Sequence, residues 1–235
     1  MENILHEMCG GKDMAYTLKQ EEINKIKQSS LFKYTNSIWC NNRLNSKKSV
    51  GAVMDAARKF RESFIGDYII DDWCIYYYKN VKKFSELKEV ANQLMKITNA
   101  IKKEKVLDLD MSIKYVWIRV IYETFFGMQQ ELKVKNLLQD KYKNWNVRFS
   151  TAEEDVNYAV DIVIEGKFKK WGVQVKPKTF LSKSDKAIQT IKENLEKNKK
   201  AGYDIQYYFY DKDGKEKFKL YSRKYLEKVI ENDNK

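Results

Sequence analysis

One histidine, one proline, three cysteines and nine glycines occur in 235 residues, and each shortage closes a class of chemistry. His6 stands alone near the N-terminus. A histidine general base, a histidine-ligated nuclease centre and a Ser-His-Asp relay therefore have no internal candidate. Cys9, Cys40 and Cys74 are far apart, odd in number and never spaced C-x-x-C. Neither a zinc ribbon nor a disulfide framework is expected, and a reduced, cytoplasmic protein is. Mean hydropathy is −0.68. No apolar run approaches the roughly 18 residues of a membrane span, and the opening MENILHEMCGGKDM lacks a leader's basic flank and apolar stretch. Few Gly and Pro beside 43% apolar residues exclude collagen-like and disordered chains. Any enzyme built from this composition works with carboxylates, amides and lysines.

What is present is positive charge, +12 in all, unevenly placed. Residues 151–166 hold five acids and no Lys or Arg, while residues 167–200 hold eleven Lys against Asp185, Glu193 and Glu196. An acidic segment abutting a basic one suits a site that holds a divalent cation while gripping a polyanion. Two solvated faces of ordinary secondary structure would look the same.

The length fits one large or two small domains. Residues 1–110 read as mostly helical. Thr17 has capping-box spacing ahead of Ile23 and Ile26, a helix is expected from Val50 to Phe64, and Ser85 is read as the cap of a long amphipathic helix. Between them lies a polar, loop-like stretch, Lys33 to Ser49. From 111 to 235 the pattern becomes mixed. A buried helix over 112–126 leads through Gly127 into a second, on which Glu131 shares the apolar stripe of Val134 and Leu138. Strands are expected at 146–150, 159–166, 171–180, 203–210 and 217–222. A helix opening at Ser184-Asp185 falls between the third and fourth, Asp213-Gly214 makes a turn, and a helix with Tyr225, Leu226, Val229 and Ile230 closes the chain. The fold class expected is α/β (α+β), a mixed five-stranded sheet flanked by helices with a helical N-terminal part.

The chemistry concentrates in the hairpin of the second and third strands. Asp161 is the carboxylate of the apolar run Val160–Ile164, and Gln174 and Lys176 share one face of the next strand by alternation. A carboxylate and an amide oxygen can hold Mg²⁺ beside a lysine that offsets charge developing on a phosphate. Glu131 adds a third candidate metal ligand, and Glu153, Glu154 and Asp155 are candidate auxiliaries. An ordinary amphipathic hairpin with an internal Asp161–Lys176 ion pair fits the same residues.

The ordered series Gly127-x-x-x-Glu131, Asp161 and Gln174-Val175-Lys176, over roughly residues 112–222, resembles the PD-(D/E)xK nuclease superfamily. GVQVKP after VDIVIEG, with NRLNSKKSVGAVMD at 42–55, is more narrowly similar to MjaI-type type II restriction endonucleases. Val160 replaces the proline that often precedes the first Asp, and carries no chemistry. Gln174 replaces the second acid, which removes a charge from the metal site and puts more weight on Glu131.

The resemblance implies a Mg²⁺-dependent endonuclease cutting double-stranded DNA at a specific sequence, with a DNA-recognition region in 1–110 and a nuclease core in 111–235. Catalytic residues would be Asp161, Gln174, Lys176 and Glu131, with Asp161, Gln174 and Glu131 on the metal. Base reading falls to Asn41, Asn42, Arg43, Asn45, Lys47 and Lys48, since Asn pairs bidentately with adenine and Arg with guanine. Phosphate contacts fall to Lys178, Lys183 and neighbours Lys167, Lys169, Lys170 and Lys186, read as lying beside the centre. A palindromic target implies a homodimer, and a restriction role implies a DNA methyltransferase to protect host sites. The rival readings are a structure-specific repair or junction nuclease on the same fold, and a non-catalytic nucleic-acid-binding protein.

Overall fold

The computed structural model describes residues 18–64, 66–181, 185–211, 220–222 and 224–227. Thr17, Lys183, Ser184, the Asp213-Gly214 turn and the Val229/Ile230 end of the last helix lie outside them. The chain divides into two compact units, the first ending at Phe126 and the second starting at Gly127.

The first unit is helical: α1 (Gln20–Gln28), α2 (Ser30–Asn41), α3 (Lys47–Val50), α4 (Val53–Ser63), α5 (Ile70–Asn80), α6 (Phe84–Lys102) and α7 (Leu109–Trp117). Much of the polar stretch expected as loop is helix α2. Phe32, Thr35, Ile38 and Trp39 recur at helical spacing and are buried, which outweighs the polar residues between them. Ser29 caps that helix by accepting the Phe32 N–H at 3.1 Å. The helix expected from about Val50 to Phe64 is α4, and Gly51, at φ +77°, separates it from the short α3 before it. Ser85 is not the cap of α6; Lys83 is, with its N–H donated to the Glu86 carboxylate at 2.9 Å. Asn99 fastens the α6–α7 connection by donating to Leu107 O at 2.7 Å and accepting the N–H groups of Val106 and Leu107. A π-helical turn, Ile118–Tyr122, joins α7 to α8 (Glu123–Lys141). Gly127 does not break α8, since a helix-interior glycine costs only about 1 kcal/mol relative to alanine.

The second unit carries β1 (Asn146–Phe149), α9 (Ala152–Tyr158), β2 (Ile162–Glu165), β3 (Lys170–Pro177), a 3₁₀ turn (Lys178–Leu181), α10 (Asp185–Lys199), β4 (Asp204–Tyr210) and β5 (Leu220–Ser222). The five strands form one mixed sheet in sequence order. Only the β3–β4 pair is parallel, joined by the α10 crossover; the other neighbours are antiparallel. Helix α9 was not expected. Thr151 starts it by accepting the Glu154 N–H, while Glu154 accepts the Thr151 N–H, a capping box.

Strand alternation gives the sheet two apolar faces. Val147, Ile162, Ile164, Val173, Val175 and Tyr208 pack against Val134 and Leu138 of α8. On the other face Val163, Ile205, Tyr207 and Phe209 pack against Ile191 and Leu195 of α10. Each such side chain contributes about 1.5–3 kcal/mol of burial. This fixes the hairpin register, because a one-residue slip would exchange the faces.

Candidate active site

Asp161 lies directly before β2, where the chain comes out of α9. Ala159 takes a left-handed conformation (φ +54°) at the end of that helix and turns the backbone so that Val160 enters the α10-side core. The Asp161 backbone then bonds on both sides, its N–H donating to Val173 O at 2.9 Å and its carbonyl accepting the Ser150 N–H at 3.0 Å. Its side chain is held as firmly: Oδ2 accepts the buried Val175 N–H at 2.7 Å. In the same carboxylate's reach, Lys176 Nζ lies 3.5 Å from Oδ2. Asp161 is 9% exposed.

Ile162 pairs with Val173, so Asp161 and Gln174 are the next residues in register. Gln174 is 2% exposed, and its Oε1 is buried with no hydrogen-bond partner. A buried amide oxygen left unpaired costs about 1–3 kcal/mol. Fold stability alone gives no reason to keep it there. A hard cation is the partner that a carboxylate oxygen and a bare amide oxygen suit, and Mg²⁺ needs few protein ligands because phosphate and water complete its shell. The residues present fit such an ion. Among the described residues, no three Asp, Glu, Cys or His side chains gather into a ready metal site.

The other expected residues distribute as follows. Glu131 is half-buried on α8, on the stripe of Val134 and Leu138, which packs against Val173 and Val175. Gln174 and Lys176 alternate with those valines and so belong to the opposite face. Along the sheet, α8 points Glu131 toward the Asp161 end, since Lys135, one turn on, sets its ammonium 5.7 Å over Phe149, the partner of Ile162. Glu153 is exposed. Glu154 is committed elsewhere: Arg148 Nη1 and Nη2 reach its two oxygens at 2.8 and 3.0 Å, and Lys170 Nζ lies 3.0 Å away. Arg148 also binds Glu165 at 2.9 Å. The Arg148 guanidinium, with the Thr151 N–H and Lys170, holds the Glu154 carboxyl far below the usual carboxylate range. For Lys170 burial works against the ammonium, but Glu154 and Glu165 outweigh it and the net shift is upward.

Lys167, Lys169 and Lys170 do not lie beside Asp161. They are at the closed end of the hairpin, and the six residues from Lys170 to Lys176 span about 20 Å of strand. Lys178 is near the Asp161 end, exposed, and paired to Asp211 at 2.6 Å. In the first unit, Asn41, Asn42, Arg43, Asn45, Lys47 and Lys48 are all exposed at the α2–α3 connection. Arg43 adopts φ +55° there, and Asn42 Nδ2 donates to Ile38 O at 2.9 Å. Sequence reasoning missed Arg148, the organiser of the acidic segment. Its signal was an arginine between Val147 and Phe149 of a short strand, two residues before Ser150-Thr151.

A carboxylate and a lysine paired across the β2–β3 hairpin, next to an unpartnered amide oxygen and on a mixed sheet flanked by helices, make an arrangement of the kind hydrolases use. The family model of the MjaI restriction endonuclease matches residues 29–227. The chain belongs to that family, and with it to the nucleases that act on DNA. No curated relative and no solved structure matches it. Among the described residues no helix is long and apolar enough to cross a membrane.

Proposed function

We propose that this chain is a type II restriction endonuclease that hydrolyses phosphodiester bonds of double-stranded DNA at a specific sequence, with Mg²⁺ as its cofactor. The observation that carries the reading is the buried, unpartnered Oε1 of Gln174 beside the Asp161–Lys176 pair. Asp161 and Gln174 would hold the ion, with phosphate and water oxygens completing its shell. When bound, Mg²⁺ polarises the phosphate and promotes ionisation of the attacking water. The chain's own part is positional. The Val175 N–H fixes Asp161 Oδ2, which leaves Oδ1 for the cation. Lys176, held at 3.5 Å from that carboxylate, places positive charge where the scissile phosphate gains negative charge.

The N-terminal part, residues 1–110, would read the sequence through Asn41, Asn42, Arg43, Asn45, Lys47 and Lys48, and residues 111–235 would form the nuclease core. A homodimer would present one centre to each strand of a palindrome, and a cognate methyltransferase would protect the host. PD-(D/E)xK chemistry in its Q-x-K form accounts for the site without a second acid.

The test is incubation of purified protein with long mixed-sequence duplex DNA, with and without Mg²⁺. Discrete fragments that require Mg²⁺ are expected, and Asp161→Asn and Lys176→Ala should each slow cutting at least a hundredfold. No cleavage, or cleavage indifferent to both substitutions, would overturn the reading. Cutting only at branches or mismatches would replace it with a structure-specific nuclease.

A further inference from the structure

The β2–β3 hairpin closes with a tight turn in which Gly166 N–H donates to Lys169 O at 2.8 Å. At its tip Phe168 is 87% exposed, the most exposed of the large apolar side chains among the described residues. Single exposed apolar residues are common on protein surfaces. This one differs in its setting. Lys167 and Lys169 flank it, both exposed and without an ion-pair partner among the described residues, and the Lys167 ammonium lies 5.2 Å over its ring. Behind it opens a cleft of about 670 Å³ bordered by Lys169, Trp171, Lys199 and Tyr203.

The stem under this tip is braced from three sides. Arg148 ties β1 to Glu165, and Lys170 bonds both Glu165 and Glu154. Trp145 stacks on Trp171 with ring centres 4.9 Å apart. Gly166 lets the Trp145 ring approach so closely that a Cβ there would come within 2.7 Å of it. Ion pairs and stacked indoles therefore stiffen the base of a turn whose aromatic tip touches almost nothing. A stiff stalk with a bare aromatic between cations has the form of a wedge for stacked bases, and unpaired lysines on both sides favour a polyanionic duplex over an apolar protein surface.

We propose that Phe168 is a DNA wedge: the hairpin tip enters the substrate duplex, the phenyl ring inserts at a base step, and Lys167 and Lys169 hold the flanking phosphates. This rests on the nuclease reading above. It also has a geometric consequence. The tip lies beyond Lys170, about 25 Å from Lys176 along the hairpin, close to seven base steps at 3.4 Å each. The distorted step should lie about two-thirds of a helical turn from the cut.

The experiment starts from the cut position mapped with wild-type protein. An end-labelled duplex carrying that site, with thymines throughout its flanks, is bound without divalent metal and treated with permanganate, which attacks unstacked thymines. Wild-type protein should expose a thymine about five to nine base pairs from the cut. Phe168→Ala should abolish that reactivity and slow cleavage at least tenfold with an unchanged melting temperature. Phe168→Leu, which keeps an apolar wedge, should restore part of both. Lys167→Ala with Lys169→Ala should lower the slope of log affinity against log salt by about two. Cleavage without reactive thymines, or a Phe168→Ala protein that unstacks and cuts like wild type, overturns the wedge and leaves the nuclease standing. Absence of any DNA cleavage overturns both.

Discussion

Replacing Gln174 by Met separates what the fold needs from what the metal needs. Methionine has nearly the same length and flexibility as glutamine, and can fill the same space, but it has no amide to leave unpaired. In metal-free protein the buried Oε1 forfeits about 1–3 kcal/mol. Removing it should therefore stabilise the chain by about 1 kcal/mol, allowing for imperfect packing of the thioether. For a chain of this size that is about 2–4 °C in melting temperature. Mg²⁺ should then invert the order. An ion present at a hundred times its dissociation constant adds about 2.7 kcal/mol to a protein that binds it, and the variant has lost a donor. The assay is differential scanning calorimetry of both proteins across a Mg²⁺ titration. A Gln174→Met protein that melts below wild type without metal, or that keeps the wild-type Mg²⁺ response, would refute the argument that this amide is kept for a cation.

Other substitutions test the surrounding structure. Asp161→Ala should cost about 1–3 kcal/mol by stranding the buried Val175 N–H. Asp161→Asn, which retains an acceptor, should lose cleavage but little stability in urea unfolding. Glu154→Gln should lower stability at neutral pH by about 2 kcal/mol, since it weakens a cluster intermediate between buried and exposed ion pairs. Because the folded Glu154 carboxyl is held below its ordinary value of 4.5, its contribution is whole above that pH and is lost as pH falls toward the folded value. Urea midpoints of wild type and variant should converge on acidification from pH 5. Gly127→Ala should stabilise by about 0.5–1 kcal/mol, because a Cβ there meets nothing within 4 Å and glycine's unfolded-state freedom is removed; a lower melting temperature would contradict it. Gly51→Ala should destabilise strongly, since it needs φ +77° and would drive a Cβ into the Val81 side chain.

The mixed sheet and its hairpin were legible in the sequence because they depend on alternation and length, which are local. Asp161, Gln174 and Lys176 were legible as a set for the same reason, since one hairpin holds all three. The α2 helix was obscured because its exposed face is rich in Asn, Ser and Lys, while the four residues that decide it, Phe32, Thr35, Ile38 and Trp39, are a minority. Helix α9 was hidden by its brevity, and its capping box at Thr151 and Glu154 was the available clue. The ends of the hairpin were confused for another reason. Lysines adjacent in sequence were counted as adjacent in space, yet a strand carries Lys170 about 20 Å from Lys176. Glu131 shows the limit of a single-helix argument. Its stripe predicts burial against a sheet, but not which face of that sheet carries the reactive groups.

Net charge by segment does not distinguish acids tied up in ion pairs from acids open to a cation, and the contacts do. Of the five acids in residues 151–166, Glu154 and Glu165 sit on Arg148 and Lys170. Those contacts hold both carboxyls below their usual range. A carboxylate neutralised by a guanidinium offers a cation little attraction, since the arginine repels the incoming charge as strongly as the acid draws it. Asp161 differs because its firmest contact is a neutral backbone N–H at 2.7 Å, with Lys176 more distant at 3.5 Å. Its place is set by a neutral donor and its ion pair is the looser contact, which suits a metal ligand better than local acidity does. On the proposed reading, the same logic lets a glutamine serve next to it. With one oriented carboxylate in place, an amide oxygen contributes a ligand without adding a second charge to repel the phosphate. Such a centre should bind its ion weakly alone and tightly once DNA supplies further oxygens. Calorimetric titration of Mg²⁺ into the Lys176→Ala protein with and without a cognate duplex measures that difference. An affinity unchanged by DNA would contradict it.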